Sequence, residues 1–175
     1  MKIRVALKIT PRDLERRLAH SQPIVRDELT QAIWTLGYAA QRRARREAPV
    51  DTGLLRASIE LERKPLRAWI GSTRRHAAPM EEGARPHWPP HEPIVNWVWR
   101  NRGRVGITTP SGRPARGAAA RRRAEEVAFL IRRAISRRGL KGRGYMQAAL
   151  KEVASRAPRI VGAVARRIAI RLVSR

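Results

Sequence analysis

Ala48-Pro49-Val50-Asp51-Thr52-Gly53-Leu54-Leu55-Arg56-Ala57-Ser58-Ile59 is the stretch in which the chain changes from helix to sheet. Upstream of it, Val25, Leu29, Ala32, Ile33, Leu36, Ala40 and Ala44 recur at steps of three and four, which predicts one amphipathic helix from about Pro23 to Ala48. Arg42, Arg43, Arg45 and Arg46 crowd its last turns, where cations meet the negative end of the helix dipole, and Pro49 stops it. Asp51-Thr52-Gly53 supplies a turn or the cap of one short helical turn. Downstream, Ile59 and Leu61 alternate with Glu60 and Glu62, the period of a half-buried strand. Arg63-Lys64-Pro65 is the expected hairpin loop, and Leu66 to Gly71, with Trp69 and Ile70, the return strand.

Working outward, Ile3, Val5, Leu7 and Ile9 alternate with Lys2, Arg4, Ala6 and Lys8, which predicts a further strand. Thr10-Pro11-Arg12-Asp13 has the cap, the first-position proline and the first-turn acid of a short helix to about His20. On the other side, Pro79, Pro86, Pro89, Pro90 and Pro93 predict a loop from His76 to Pro93, then a short helix from Ile94 to Arg100 with Trp97 in the core. Gly103, Gly106, Pro110, Gly112, Pro114 and Gly117, with Arg104, Arg113 and Arg116 among them, predict an extended flexible loop. A helix is expected from Ala118 to Arg138 with Val127, Leu130, Ile131, Ala134 and Ile135 on its core side, ended by Gly139. Lys141 to Gly144 reads as a turn, and Tyr145 to Leu150 as a return to the core. Pro158 breaks the chain or starts the last helix, in which Ile160, Val164, Ile168 and Leu172 share a face.

The 175 residues carry 39 basic against 14 acidic side chains, a formal charge of +25, and 34 of the basic residues are arginine. Residues 100 to 175 alone hold 21 basic and three acidic side chains, so the excess sits towards the C-terminus. Such a surface repels itself and favours nucleic acid or an acidic protein face; a coding or thermal bias towards arginine gives the same composition without any partner. The absence of cysteine excludes disulfides, thiol catalysis and thiolate metal sites. No stretch has the length of a membrane span, and the alternating N-terminus lacks the apolar block of a secretory signal, so synthesis and folding in a cytoplasm are expected.

No residue set converges on a reaction. His87 and His91 have metal-sharing spacing only on a helix, and Pro89 and Pro90 lie between them. Glu81 and Glu82 are adjacent and so point apart, unlike an acid–base pair. Ser58 and Ser72 have no nucleophile turn, and Gly139 to Gly144 lacks the spacing of a phosphate loop. Trp88, Trp97 and Trp99 suit a base-stacking platform, but packing and interface anchoring explain them more simply. Arg121-Arg122-Arg123 suit phosphates, a solvated helix face or a charged subunit contact equally. Catalytic, cofactor and metal sites are therefore all expected to be absent.

Three blocks in order resemble one family. They are the opening segment with its preceding helix; His76-Ala77-Ala78-Pro79-Met80-Glu81-Glu82-Gly83 with Arg85-Pro86-His87-Trp88-Pro89-Pro90 and Trp97; and Arg137-Arg138-Gly139 through Tyr145-Met146-Gln147-Ala148-Ala149-Leu150. Together they are similar to the head–tail joining and minor tail proteins of long-tailed phages, related to the tail-completion protein Z of phage lambda. In the second block that family usually has Tyr-Ala-x-x-x-Glu-Phe-Gly; here His76 stands for the Tyr and Glu82 for the Phe. The resemblance covers about residues 25 to 155 and marks Pro49, Asp51, Thr52, Gly53, Leu55, Ser58, Ile59, Glu81, Gly83, Pro86, Pro89, Pro90, Trp97 and Gly139 as structural positions. It implies an α+β fold, a long N-terminal helix on a small antiparallel sheet with additional C-terminal helices. Residues 1–103 and 118–155 would form one domain, 104–117 a flexible arginine-, glycine- and proline-rich loop, and 156–175 a basic helical extension.

The function so implied is that of a non-enzymatic virion protein at the neck or head-proximal tail end. It would form a homo-oligomeric ring in contact with neck, tail-terminator, tail-tube or tape-measure proteins, with packaged DNA in the channel as a further partner and no membrane. The hairpin from Ile59 to Gly71 and the segment from Met80 to Pro93 are the expected subunit contacts. Trp69, Trp88, Trp99, Arg104, Arg113, Arg116, Arg121, Arg122 and Arg123 are the candidate interface or DNA-facing residues. The alternative is a free basic nucleic-acid-binding protein; an enzyme acting on nucleic acid is disfavoured because no acids and histidines cluster and the last aspartate is Asp51.

Overall fold

The structure is a computed structural model that describes residues 5–9 and 23–173. Its elements run β1 (Val5–Ile9), α1 (Pro23–Glu47), α2 (Leu54–Ala57), β2 (Glu60–Lys64), β3 (Arg67–Ser72), α3 (Ala77–Glu82), β4 (Gly83–Ala84), α4 (His91–Arg100), α5 (Ala118–Arg138), β5 (Leu140–Lys141) and α6 (Tyr145–Val173). The fold is α+β. The expected helix from Thr10 to His20 lies outside the described residues.

Two units contain these elements, one made of residues up to Glu82 together with those from Arg143 onward, the other of Gly83–Gly142. The limits between them fall at 82/83 and 142/143.

In the first unit, β3 lies between β1 and β2, antiparallel to both, with Ile70 opposite Leu7 on one side and Leu61 on the other. Ala68, Ile70 and Ser72 on β3 are buried, while Arg67, Trp69 and Gly71 are half-exposed, the alternation of a sheet with one covered face. The hairpin turn is tighter than the predicted one. Pro65 precedes Leu66, which has a left-handed φ of 58° and is 3 % exposed against Ile33 and Ala68. A leucine there costs about 1–2 kcal/mol. Burial and a hydrogen bond from its N–H to the Thr30 hydroxyl offset that.

The main core joins α1, α6 and the sheet through Leu36, Ala40, Ala44, Leu55, Ile59, Ile70, Tyr145, Met146, Ala149 and Val153. Alanines at 40, 44 and 149 are fully buried, and small side chains at such positions let helix backbones approach closely. Gly37 serves the same end against the sheet, because a Cβ there would meet Leu61 Cδ1 at 2.9 Å and Ala68 Cβ at 3.1 Å.

Helix α6 corrects the expected separate extension from residue 156. It runs unbroken from Tyr145 to Val173 with Pro158 inside it. Pro158 cannot donate to the carbonyl of Ala154, but Ala157 and Ile160 on either side pack against the main core. Near its far end, Arg167 Nε donates to Glu28 Oε2 at 2.7 Å, and Glu28 is buried. Residues beyond 156 thus belong to the first unit's framework.

In the second unit, Val95 and Val98 of α4 pack with Ile107 and with Ala120, Ala124 and Ala128 of α5. Four expectations fail here or beside it. The segment from His76 to Pro93 is not one loop: α3 and β4 occupy Ala77–Ala84, and α4 begins at His91. Pro79 and Pro93 are each the third residue of a helix, where an N–H has no intrahelical partner to lose. Trp97 is exposed, not core. The core stripe of α5 is made of alanines with Val127 and Ile131, whereas Leu130 is 60 % exposed and Ala134 is also outside. Residues 104–117 are a series of turns rather than an extended loop. Thr109 N–H donates to Arg113 O at 2.8 Å, Ala115 N–H to Ile107 O at 3.0 Å, and Ile107 is buried.

Candidate interaction surfaces

The opening segment is a buckle between helix and sheet. Ala48 closes α1 by donating its N–H to Ala44 O at 2.9 Å, and Pro49 ends the ladder. Asp51 and Thr52 are exposed; Gly53 has φ 80° and caps α2, its carbonyl accepting from Ala57 N–H at 2.9 Å. Leu55 and Ile59 enter the core. The Ile59 carbonyl accepts from Gln41 Nε2 and Arg45 Nε, both at 3.0 Å, so the basic end of α1 holds the start of β2. The Ser58 hydroxyl donates to Leu55 O at 2.8 Å and accepts from the Ser72 hydroxyl at 2.8 Å. Arg74 N–H in turn donates to Ser72 Oγ. Both serines are spent on backbone and on each other.

Glu81 is where the second and third sequence blocks meet. Its carboxylate is buried and accepts from Met146 N–H at 2.7 Å and Gln147 N–H at 3.0 Å, one oxygen each. Its own carbonyl accepts from Gly144 N–H at 3.1 Å, and the preceding carbonyl, of Met80, from Arg143 N–H at 2.8 Å. A carboxylate from another helix thus caps the first turn of α6, satisfying donors that a helix start leaves open and facing the positive end of its dipole. Tyr145 is fully buried beside it and donates its hydroxyl to Ala77 O at 3.2 Å. Burial, with the Glu81 charge added, pushes the Tyr145 hydroxyl up to about 12. Glu82 is exposed, so the two glutamates share no site.

Gly83 and Gly139 lie at the base of the two-stranded ribbon formed by β4 and β5 in the second unit. Both have positive φ, and a Cβ on either would run into backbone: Leu140 O in the case of Gly83, Ala84 O in that of Gly139. Pro86, Pro89 and Pro90 shape the connection to α4, where Arg132 Nε donates to Pro89 O at 2.9 Å. Arg132 also lies 4.8 Å from the centre of the Trp88 ring, which meets Phe129 edge-on at 6.1 Å. Trp88 and Phe129 are each half-exposed and Leu130 more so.

Trp99 has two guanidinium groups over its ring, Arg102 at 4.7 Å and Arg121 at 5.5 Å. Arg102 is fixed in turn by bonds to Trp99 O and Ala115 O. Arg104, Arg113, Arg116, Arg122 and Arg123 are exposed in the same unit, which carries 14 basic and three acidic side chains. In the first unit, Trp69 lies on the uncovered face of the sheet with Lys64 at 5.5 Å and Arg67 at 6.0 Å. Arg63 covers both Trp34 and Tyr38, at 5.1 and 5.4 Å. The candidate tryptophans therefore each lie beside arginine or lysine side chains, in both units, while Arg104, Arg113, Arg116, Arg122 and Arg123 stand exposed in the second.

His87 Nδ1 is 2.8 Å from Arg85 O, while His91 opens α4 beside Glu92. Among the described residues no group of three or more His, Asp or Glu is placed to hold a metal ion. None of their helices is long and apolar enough to cross a membrane. Comparisons with protein-family models, with curated proteins and with solved structures give no match.

Proposed function

We propose that this chain is a phage virion structural protein that acts at the neck or the head-proximal end of the tail, completing or joining the tail by assembling as a ring. The observation that carries the proposal is the role of the residues on which the resemblance rests. Pro49, Gly53, Leu55, Ser58 and Ile59 fasten α1 to the sheet, Glu81 fastens α3 to α6, and Gly83 and Gly139 allow the ribbon. Every one of these positions is spent on shape, and none presents a reactive group to solvent. Half-exposed tryptophans fixed by arginines are what subunit contacts use, because a preordered aromatic loses little freedom on docking. Rotation about the particle axis then closes identical contacts into a ring.

Light scattering on the purified chain, alone and with its particle neighbours, tests the assembly step. Discrete closed oligomers are expected when an acidic particle neighbour is added, and these weaken at high salt; a monomer at every salt and partner concentration contradicts the ring.

The two guanidinium groups over the Trp99 ring support a second reading, that of a free nucleic-acid-binding protein. In that case virions lack the polypeptide, and the purified monomer binds oligonucleotides with a steep salt dependence.

A further inference from the structure

The first unit contains an open groove of about 540 Å³ lined by Arg43 of α1 and by Arg143, Gln147, Lys151, Glu152 and Ser155 around the start of α6. It includes none of the arginines that sequence alone nominates for nucleic acid. Gln147, Lys151 and Ser155 follow one another at four-residue intervals on α6, so they form one ladder with steps of about 6 Å, and Arg143 lies in the turn just before the helix begins. That step is comparable with the distance between consecutive phosphates along one nucleic-acid strand. Arg43, from α1, lines the same groove, so its cations come from two segments of the unit.

The local acids do not cancel these cations. Glu152 is held by Arg156 at 2.6 Å and Glu47 by Arg43 at 3.1 Å, each an i,i+4 pair along one helix. Arg43 uses one of its five N–H donors in that pair. Arg143 and Lys151 are exposed. Ser155 donates its hydroxyl to Glu152 O and closes the ladder as a neutral end.

We infer that this groove is a binding site for the sugar–phosphate backbone of a nucleic-acid strand, with Arg143 and Lys151 each on a phosphate and Arg43 joining them from α1. A protein partner is disfavoured by the lining itself. Ala148 is the one apolar side chain in it, and a protein interface needs an apolar anchor at its centre. The inference does not depend on the virion role: a strand held here is compatible with a particle or with a free protein.

The test is fluorescence anisotropy of a labelled 20-nucleotide oligo-dT with the full chain across a salt series. It compares Arg143→Gln/Lys151→Gln with Arg74→Gln/Arg75→Gln, which removes the same charge from an exposed part of the same unit. The groove pair is expected to lower affinity about tenfold and to flatten the slope of log K against log salt by about 1.4. The control pair should stay within twofold of the parent. Ser155→Glu, which removes no cation, should weaken binding at least fivefold with an unchanged unfolding midpoint. Equal losses for the two pairs, an unaffected Ser155→Glu, or displacement of the oligonucleotide by an equal charge of polyglutamate would each overturn the assignment.

Discussion

At the residue scale, two buried polar groups set the start of α6. Glu81→Ala leaves the N–H groups of Met146 and Gln147 without their acceptor and removes a charge from the helix N-terminus. A loss of about 2–4 kcal/mol in urea unfolding is expected, since charge-assisted bonds are the stronger kind. Tyr145 gives a pH signature. Its folded value of about 12 lies above the unfolded value near 10, so its contribution is complete below pH 10 and disappears as pH rises through 12. Tyr145→Phe loses the bond to Ala77 O and should be about 1 kcal/mol less stable at pH 7. That deficit should shrink and then reverse above about pH 11, as read from thermal melts; a constant deficit would show that the tyrosine does not titrate with folding. Nothing in the local pattern announces this arrangement. Glu81 and Tyr145 are 64 positions apart, and an acid beside a second acid looks like surface until its partner helix is known. The buckle at Ser58 and Ile59 is easier to see, because its proline, glycine and alternating apolar residues are neighbours in the chain.

At the element scale, glycine and proline act through context. Gly139→Ala forces a Cβ against the Ala84 carbonyl at a positive φ, whereas Gly53 has the same kind of φ and open space around it. Chevron or equilibrium unfolding should show Gly53→Ala costing about 1 kcal/mol, the backbone penalty alone, and Gly139→Ala clearly more. Pro158→Ala restores an N–H that reaches the Ala154 carbonyl and should stabilise α6 by about 1–3 kcal/mol; no gain would mean that the helix needs its proline. The same context explains which elements were legible. Helix α1 and the β2–β3 hairpin follow from periodicity and one turn, and both appear within a few residues of the expected bounds. Helix α3 and the first turn of α4 were hidden by prolines that stand in first turns, and the continuity of α6 by one that stands in its middle. On α5 the larger residues suggested the buried side, but three alanines four apart form it, leaving Phe129 and Leu130 outside.

At the scale of the whole molecule, a charge of +25 opposes association of identical chains unless an acidic partner or polyanion intervenes. Ring formation should therefore be promoted by nucleic acid or by an acidic neighbour in the particle. The α+β class was implied by the resemblance, but the division at 82/83 and 142/143 could not be read, since each unit's core is assembled from segments whose separate periodicities carry no address. The interaction surface was only partly legible: the tryptophans and arginines are visible in the chain, while their pairing, and the groove beside Lys151, exist only in the fold. The central claim, a shape-defined part of a phage neck, is tested most directly by electron microscopy of particles made when a phage carrying this gene has it inactivated. Filled heads and finished tails lying separate, rejoined when the wild-type chain is supplied, is the predicted result. Joined, infectious particles in its absence would contradict the account.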